Sequence, residues 1–163
     1  MKTSLFAKRG LVAMVVLTAA MVPMFALTGT GSLSLSGTVS ETTSVTITAD
    51  ANASSLPLNV ATTGLKIATV TELSNSKGGY TLTLSTSNGS SLKENLGVDT
   101  IPYTLQYGNN PVTFTGNSAT LTTAASRSAT SAGTTNTLYI SFGAAFVNAN
   151  TYADTLTFTI TGK

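Results

Sequence analysis

The sequence predicts an all-β domain, a sandwich or a barrel, and two observations carry that expectation. Apolar residues alternate with Ser or Thr in segment after segment from residue 32 onward. A period of two puts one set of side chains on one face of an extended chain and the hydroxyls on the other. Turn-forming clusters separate these segments at intervals of about 8–12 residues, the spacing of sandwiches and barrels. No stretch sustains the i, i+3, i+4 pattern of a helix, and no repeat of solenoid length is present.

The N-terminal element is read as an export signal. Residues 1–10 (MKTSLFAKRG) are basic, Leu11 to Leu27 form an apolar run interrupted by Pro23, and small residues follow. This is the order of parts in a secretory signal peptide. The expected signal covers residues 1–28, with cleavage anywhere from 26 to 31. A retained anchor is the bland alternative, the run of 17 residues being at the short limit for crossing a bilayer. Lys8-Arg9-Gly10 before an apolar stretch also resembles a type IV prepilin leader, which implies a pilin-like subunit processed after Gly10.

Two alternating stretches follow, Ser32–Ser36 extended to Val39, and Ser44–Thr48, separated by polar Ser40–Ser44. Val45 and Ile47 mark the first strand of the domain. The earlier stretch places Leu33, Leu35 and Val39 in one row with Gly37 in register, where the missing side chain permits close backbone approach. Such a segment can pair with its own domain or, by β-augmentation, with a neighbour's. A head-to-tail contact of the second kind propagates into a filament rather than closing a ring.

Further strands are expected at Tyr80–Ser85, Ile101–Tyr107 and Thr155–Thr161, and shorter ones at Leu56–Val60, Leu65–Val70, Val112–Phe114, Ala119–Leu121 and Leu138–Phe142. The turns lie at Lys77–Gly79, Asn88-Gly89, Gly108–Pro111, Thr115–Asn117 and Asn148–Asn150. Thr122–Asn136 has no large apolar residue and reads as an exposed, mobile loop.

Composition excludes several chemistries. The chain of 163 residues has no Cys, His or Trp and only 9% charged residues. It therefore has no Ser-His-Asp or Cys-His nucleophile, no thiolate or imidazole metal ligand, and no disulfide. Removing the leader leaves five basic against six acidic residues, a net charge of −1, with no basic face for nucleic acid or an anionic membrane. An enzyme, a cofactor and a metal centre are not expected. Glu94 and Asp99 read as surface charges flanking a turn rather than a glycosidase pair. Asp50, Asn52 and Asp154 lack the Asp-rich loop of a calcium site. Tyr80, Tyr103, Tyr107, Tyr139 and Tyr152 read as core packing in preference to a sugar platform. Asn52-Ala-Ser54 and Asn88-Gly-Ser90 match the N-glycosylation sequon. The scarcity of Lys and Glu also leaves strand edges without their usual guards, which hints that an edge is meant to be paired.

Three stretches resemble the spore coat protein U and fimbrial-subunit group of secreted bacterial β-sandwich proteins. They are Leu33–Ile47 (LSLSGTVSETTSVTI), Gly79–Asn88 together with Ile101–Leu105, and Asn150–Ile160, in which a Tyr stands two residues before an Asp-Thr that opens an alternating strand. The resemblance implies an Ig-like antiparallel β-sandwich over residues 41–163 with an N-terminal extension, 29–40, as donor strand. It implies export through a periplasmic chaperone and outer-membrane usher, and assembly by donor-strand exchange with copies of itself or related subunits. Leu33, Leu35, Gly37 and Val39 would then be donor residues. Leu156, Phe158 and Ile160 on the terminal strand would line the acceptor groove, where a chaperone would also pair. The expected role is a structural subunit of a surface fibre or coat. The alternative is a secreted, self-complete adhesin or carbohydrate-binding module whose loops meet a host or surface glycan.

Overall fold

The computed structural model describes residues 29–163, so the expected export segment, residues 1–28, lies outside the described residues. The chain divides into two units, Met1–Gly37 and Thr38–Lys163, the division falling inside the expected extension. Residues 29–37 of the first unit form no strand.

The second unit is all-β apart from one 3₁₀ turn, Ala51–Ser54, capped by the Asp50 side chain. Its strands are β1 (Thr43–Ala49), β2 (Thr62–Ser74), β3 (Tyr80–Thr86), β4 (Ser91–Glu94), β5 (Thr100–Tyr107), β6 (Asn110–Pro111), β7 (Ser118–Ala124), β8 (Thr134–Phe142), β9 (Tyr152–Ala153) and β10 (Leu156–Gly162). They form two antiparallel sheets. The larger runs β1-β2-β8-β5-β4-β9, with β6 paired to β5, and the smaller runs β10-β3-β7. Val70, Leu105, Leu138 and Ile140 of the larger sheet and Leu82 and Leu84 of the smaller belong to one buried cluster. Two sheets sharing one core are the layers of a β-sandwich. Burial alternates strictly along β3 and β5, as the period-two pattern predicts.

Several expected elements differ. Leu56–Val60 is not a strand: Pro57 has no N–H, and local bonds from Leu58 N–H to Leu56 C=O (2.9 Å) and Val60 N–H to Pro57 C=O (3.0 Å) bend the segment while Leu56 and Leu58 pack on the core. Val112–Phe114 also carries no ladder, only a bond from Val112 N–H to Leu105 C=O (2.9 Å) after Pro111. Thr122–Asn136 is shorter as a loop than expected, because β7 and β8 take its two ends. The middle is pinned: Ser128 is buried, its N–H donates to Ser74 C=O (2.7 Å), and its Oγ accepts from Ser74 N–H (3.0 Å). Strand β2 outruns the expected Leu65–Val70 because its last inward positions, Glu72 and Ser74, are polar.

Glu72 is wholly buried. Its Oε1 accepts from the Tyr107 hydroxyl, Thr122 Oγ1 (3.0 Å) and Asn136 Nδ2 (3.3 Å), while Oε2 has no hydrogen-bond partner. Burial, and then the bond to this carboxylate, raise the Tyr107 pKa above its ordinary value.

A second carboxylate explains the Tyr-x-Asp-Thr motif. Asp154 Oδ1 accepts from the backbone N–H groups of Ser87 (3.1 Å), Asn88 (3.0 Å) and Thr155 (2.7 Å), and Oδ2 from Tyr103 OH (2.6 Å) and Thr86 Oγ1. One side chain thus ties the start of β10 to the turn after β3 and to β5 in the opposite sheet. Asp154→Ala is expected to cost about 2–4 kcal/mol in urea unfolding, because several donors lose their acceptor together. Asp50→Ala, which uncaps one exposed turn, should cost about 1 kcal/mol. Equal losses for the two variants would show that the Asp154 network carries no special weight.

Candidate functional site

Strand β1 is one outer strand of the larger sheet and β10 one outer strand of the smaller. The two run antiparallel with Cα atoms within 8 Å, yet no backbone ladder joins them. They converge at one end, where Gly162 faces the Glu41 and Thr43 side chains so closely that a Cβ there would lie 3.2 Å from Thr43 Oγ1. At the other end they part. The groove left between them has a volume of about 270 Å³ and is lined by Ile47 and Ala49 of β1, Leu156 and Phe158 of β10, and Leu56, with Ile67, Leu138 and Ile140 at its base.

The walls are incompletely covered. Ile47 is 42% exposed and Ala49 is exposed, although both continue the inward row of Val45. Leu156, Phe158 and Ile160 alternate inward but reach only half-burial, whereas Leu82 and Leu84, beside Ile160 and Phe158 in the ladder, are fully buried. An edge strand offers a row of unpaired N–H and C=O groups. Here two such edges flank one apolar trough. The polar side chains in its lining, Asp154 and Tyr103, bond each other, which leaves the two strand backbones as the unpaired polar groups along it. Burial, and then the bond to Asp154, raise the Tyr103 pKa.

Of the residues the sequence singled out, Leu156 and Phe158 line this groove, and Ile160 packs on the core nearer its shut end. Leu33, Leu35 and Val39 are 84%, 87% and 87% exposed, and a Cβ on Gly37 would meet nothing within 4 Å. The row Leu33–Val39 spans seven residues, the length of β1 and of β10. Residues 29–42 carry no strand, so the alternation in Ser32–Ser36 is not expressed as a paired element. The chain leaves β1 at the shut end, where Asn75 holds it: Thr42 N–H donates to Asn75 Oδ1 (2.6 Å), Asn75 N–H to Thr42 C=O (3.0 Å) and Asn75 Nδ2 to Ser40 C=O (2.9 Å). The contribution of Leu56, and of Asn75 as a clamp, had no sequence signal, since both depend on how distant segments meet.

The other candidate residues have structural tasks. Glu94 is buried rather than a surface charge; Oε1 accepts from Asn150 Nδ2 (3.0 Å) and Oε2 from Asp99 N–H (3.2 Å). Asp99 Oδ2 accepts from Asn148 N–H (3.2 Å). Asp50 faces Lys66 Nζ at 3.8 Å, and Asn52 donates to Lys66 C=O (3.1 Å), so they do not form a ligand set with Asp154. Tyr80, Tyr103 and Tyr107 are buried in the fold and offer no sugar platform.

The Asn150 amide, and then the Asp99 N–H, hold the Glu94 carboxyl below the usual glutamate pKa. A depressed folded-state pKa adds stability above the unfolded value of about 4.3, and that stability is lost as pH falls through the folded value. Glu94→Gln is therefore expected to lower Tm near about pH 7, with the deficit shrinking as the pH is taken toward about 3. Thermal melts of both proteins across this range check it; a deficit independent of pH would mean that the carboxylate charge is not what matters.

No protein-family model matches the chain, and no curated protein does.

Proposed function

We propose that this protein is a non-enzymatic structural subunit of a bacterial surface fibre or coat, an Ig-like module that polymerises by donor-strand exchange. The observation that carries the reading is the apolar groove between two unpaired strand edges, β1 and β10. The same chain holds a seven-residue alternating row, Leu33–Val39, with its apolar side chains in water. Each of Leu33, Leu35 and Val39 contributes about 1.5–3 kcal/mol on full burial, and the backbone of the inserted segment pairs with both edges at once.

Donation to a neighbour is favoured over folding back. Asn75 holds Ser40 to Thr42 along the line of β1, and the chain departs from the shut end of the groove while the opening lies at the opposite end. A donor at one end and an acceptor at the other make a heterologous contact, which propagates head to tail. Export, a periplasmic chaperone that pairs with β10 before assembly, and an usher belong to this reading through the family resemblance.

An SDS gel of surface-extracted protein, run unboiled and boiled, tests it. A ladder of multimers that collapses to monomer on boiling is expected, and full-length Leu33→Asp/Leu35→Asp protein should lose the ladder. Monomer alone in both lanes of the unsubstituted protein overturns the reading and returns attention to a self-complete binding module. Asn75→Ala frees the exit of the extension and should shift material from the ladder to a compact monomer by roughly tenfold, the scale of losing about 1–1.5 kcal/mol of hydrogen bonding. Size-exclusion chromatography of the extract reads that shift.

A further inference from the structure

Resting on the strand-exchange reading, we infer that the loop cluster at the groove's open end is the face on which the domain of the donating copy seats. Three loops meet there, residues 55–61, 95–99 and 143–150. Ala145 N–H donates to Leu58 C=O (2.9 Å), Asn148 N–H to Asp99 Oδ2 (3.2 Å), and Asn150 Nδ2 to Asn95 C=O (3.0 Å). These loops expose Val60, Leu96, Val98 and Phe146, with Leu96 and Phe146 in full contact with water. Outside the extension and the groove wall, these loops hold all the large exposed apolar residues identified among those described. A patch of this kind on one end of a domain marks an interaction surface.

The occupant follows from the direction of the donor and the length of its tether. The groove is shut where Gly162 meets Glu41 and Thr43, so an inserted segment keeps its trailing residue, Val39, at the open end. Only Ser40 to Thr42 separate Val39 from β1, and an extended chain covers at most roughly 14 Å between Val39 and Thr43. The donating domain must therefore lie against the open end, and it arrives with its own shut end foremost. That end carries Lys77, Arg127 and Lys163 against Glu41 and the buried Glu72, whereas the open end carries Asp50, Glu94, Asp99 and Asp154 against Lys66 and Lys93. The signs are complementary, and the aliphatic stems of Lys77 and Arg127 can cover apolar surface while their charged heads stay hydrated. Leu56 in the groove and Leu58 at Ala145 sit on one loop, so the patch is continuous with the trough.

Because the chain contains no cysteine, single thiols report on this face without background. Full-length Leu96→Cys, Phe146→Cys and, as a control on the outer face of β7, Thr120→Cys are extracted from the cell surface, labelled with a maleimide before any detergent, and run unboiled. In a head-to-tail assembly one subunit keeps an open face. Label per chain at 96 and 146 is therefore expected to fall to about half in the dimer band and about a third in the trimer, while Thr120→Cys labels equally in every band. Loss of the ladder in Leu96→Cys or Phe146→Cys alone, with Thr120→Cys unaffected, is the same result in stronger form. Equal label in all bands at all three sites overturns the inference and leaves strand exchange standing. No ladder from the unsubstituted protein overturns the strand-exchange reading, and this inference with it.

Discussion

Backbone pairing that stops one strand short is the constraint on which the rest of this molecule depends. β1 and β10 each satisfy one side of their backbone, against β2 and β3, and leave the other side to face the same trough. Closing the gap directly would require a ladder between them, and the two strands come together only where Gly162 removes the side chain that would hold them apart. Beyond that point the inward row of each strand stands beside fully buried neighbours yet remains half covered. The Asp154 carboxylate then matters for a reason beyond local stability: it fixes the start of β10 to the opposite sheet, so the groove stays a defined shape instead of collapsing.

Much of the fold was legible in the sequence because its strands are one-sided. Where Thr or Ser alternates with Leu, Ile, Phe or Tyr, as in Tyr80–Thr86 and Thr100–Tyr107, the pattern names both the strand and its buried face. It failed where a different force ruled. Leu56–Val60 and Val112–Phe114 carry apolar side chains that pack on the core, but the prolines beside them withhold donors that a ladder needs. Strand β2 continues past Val70 through Glu72 and Ser74, where buried polar groups take inward positions and hide the alternation.

The candidate site was legible in part. Alternation in Leu156–Ile160 placed the terminal strand, and Val45 and Ile47 placed the first one. That these two strands become the two lips of one trough is a matter of topology, settled by pairings between distant residues such as Thr62 with Phe142 and Tyr80 with Gly162. The apolar loop cluster was invisible for a similar reason. Val60, Leu96 and Phe146 lie in unrelated stretches with no periodicity, and only the bonds among loops 55–61, 95–99 and 143–150 gather them.

The Asn75 clamp has a mechanical consequence. Pull on the extension enters the domain at Ser40 and Thr42 and passes through Asn75 into the end of β2, a strand of thirteen residues bonded to β1 on one side and β8 on the other. In the fibre proposed above, tension would run along the strand axes. It loads the rows of hydrogen bonds in shear, all at once, rather than peeling them open one after another.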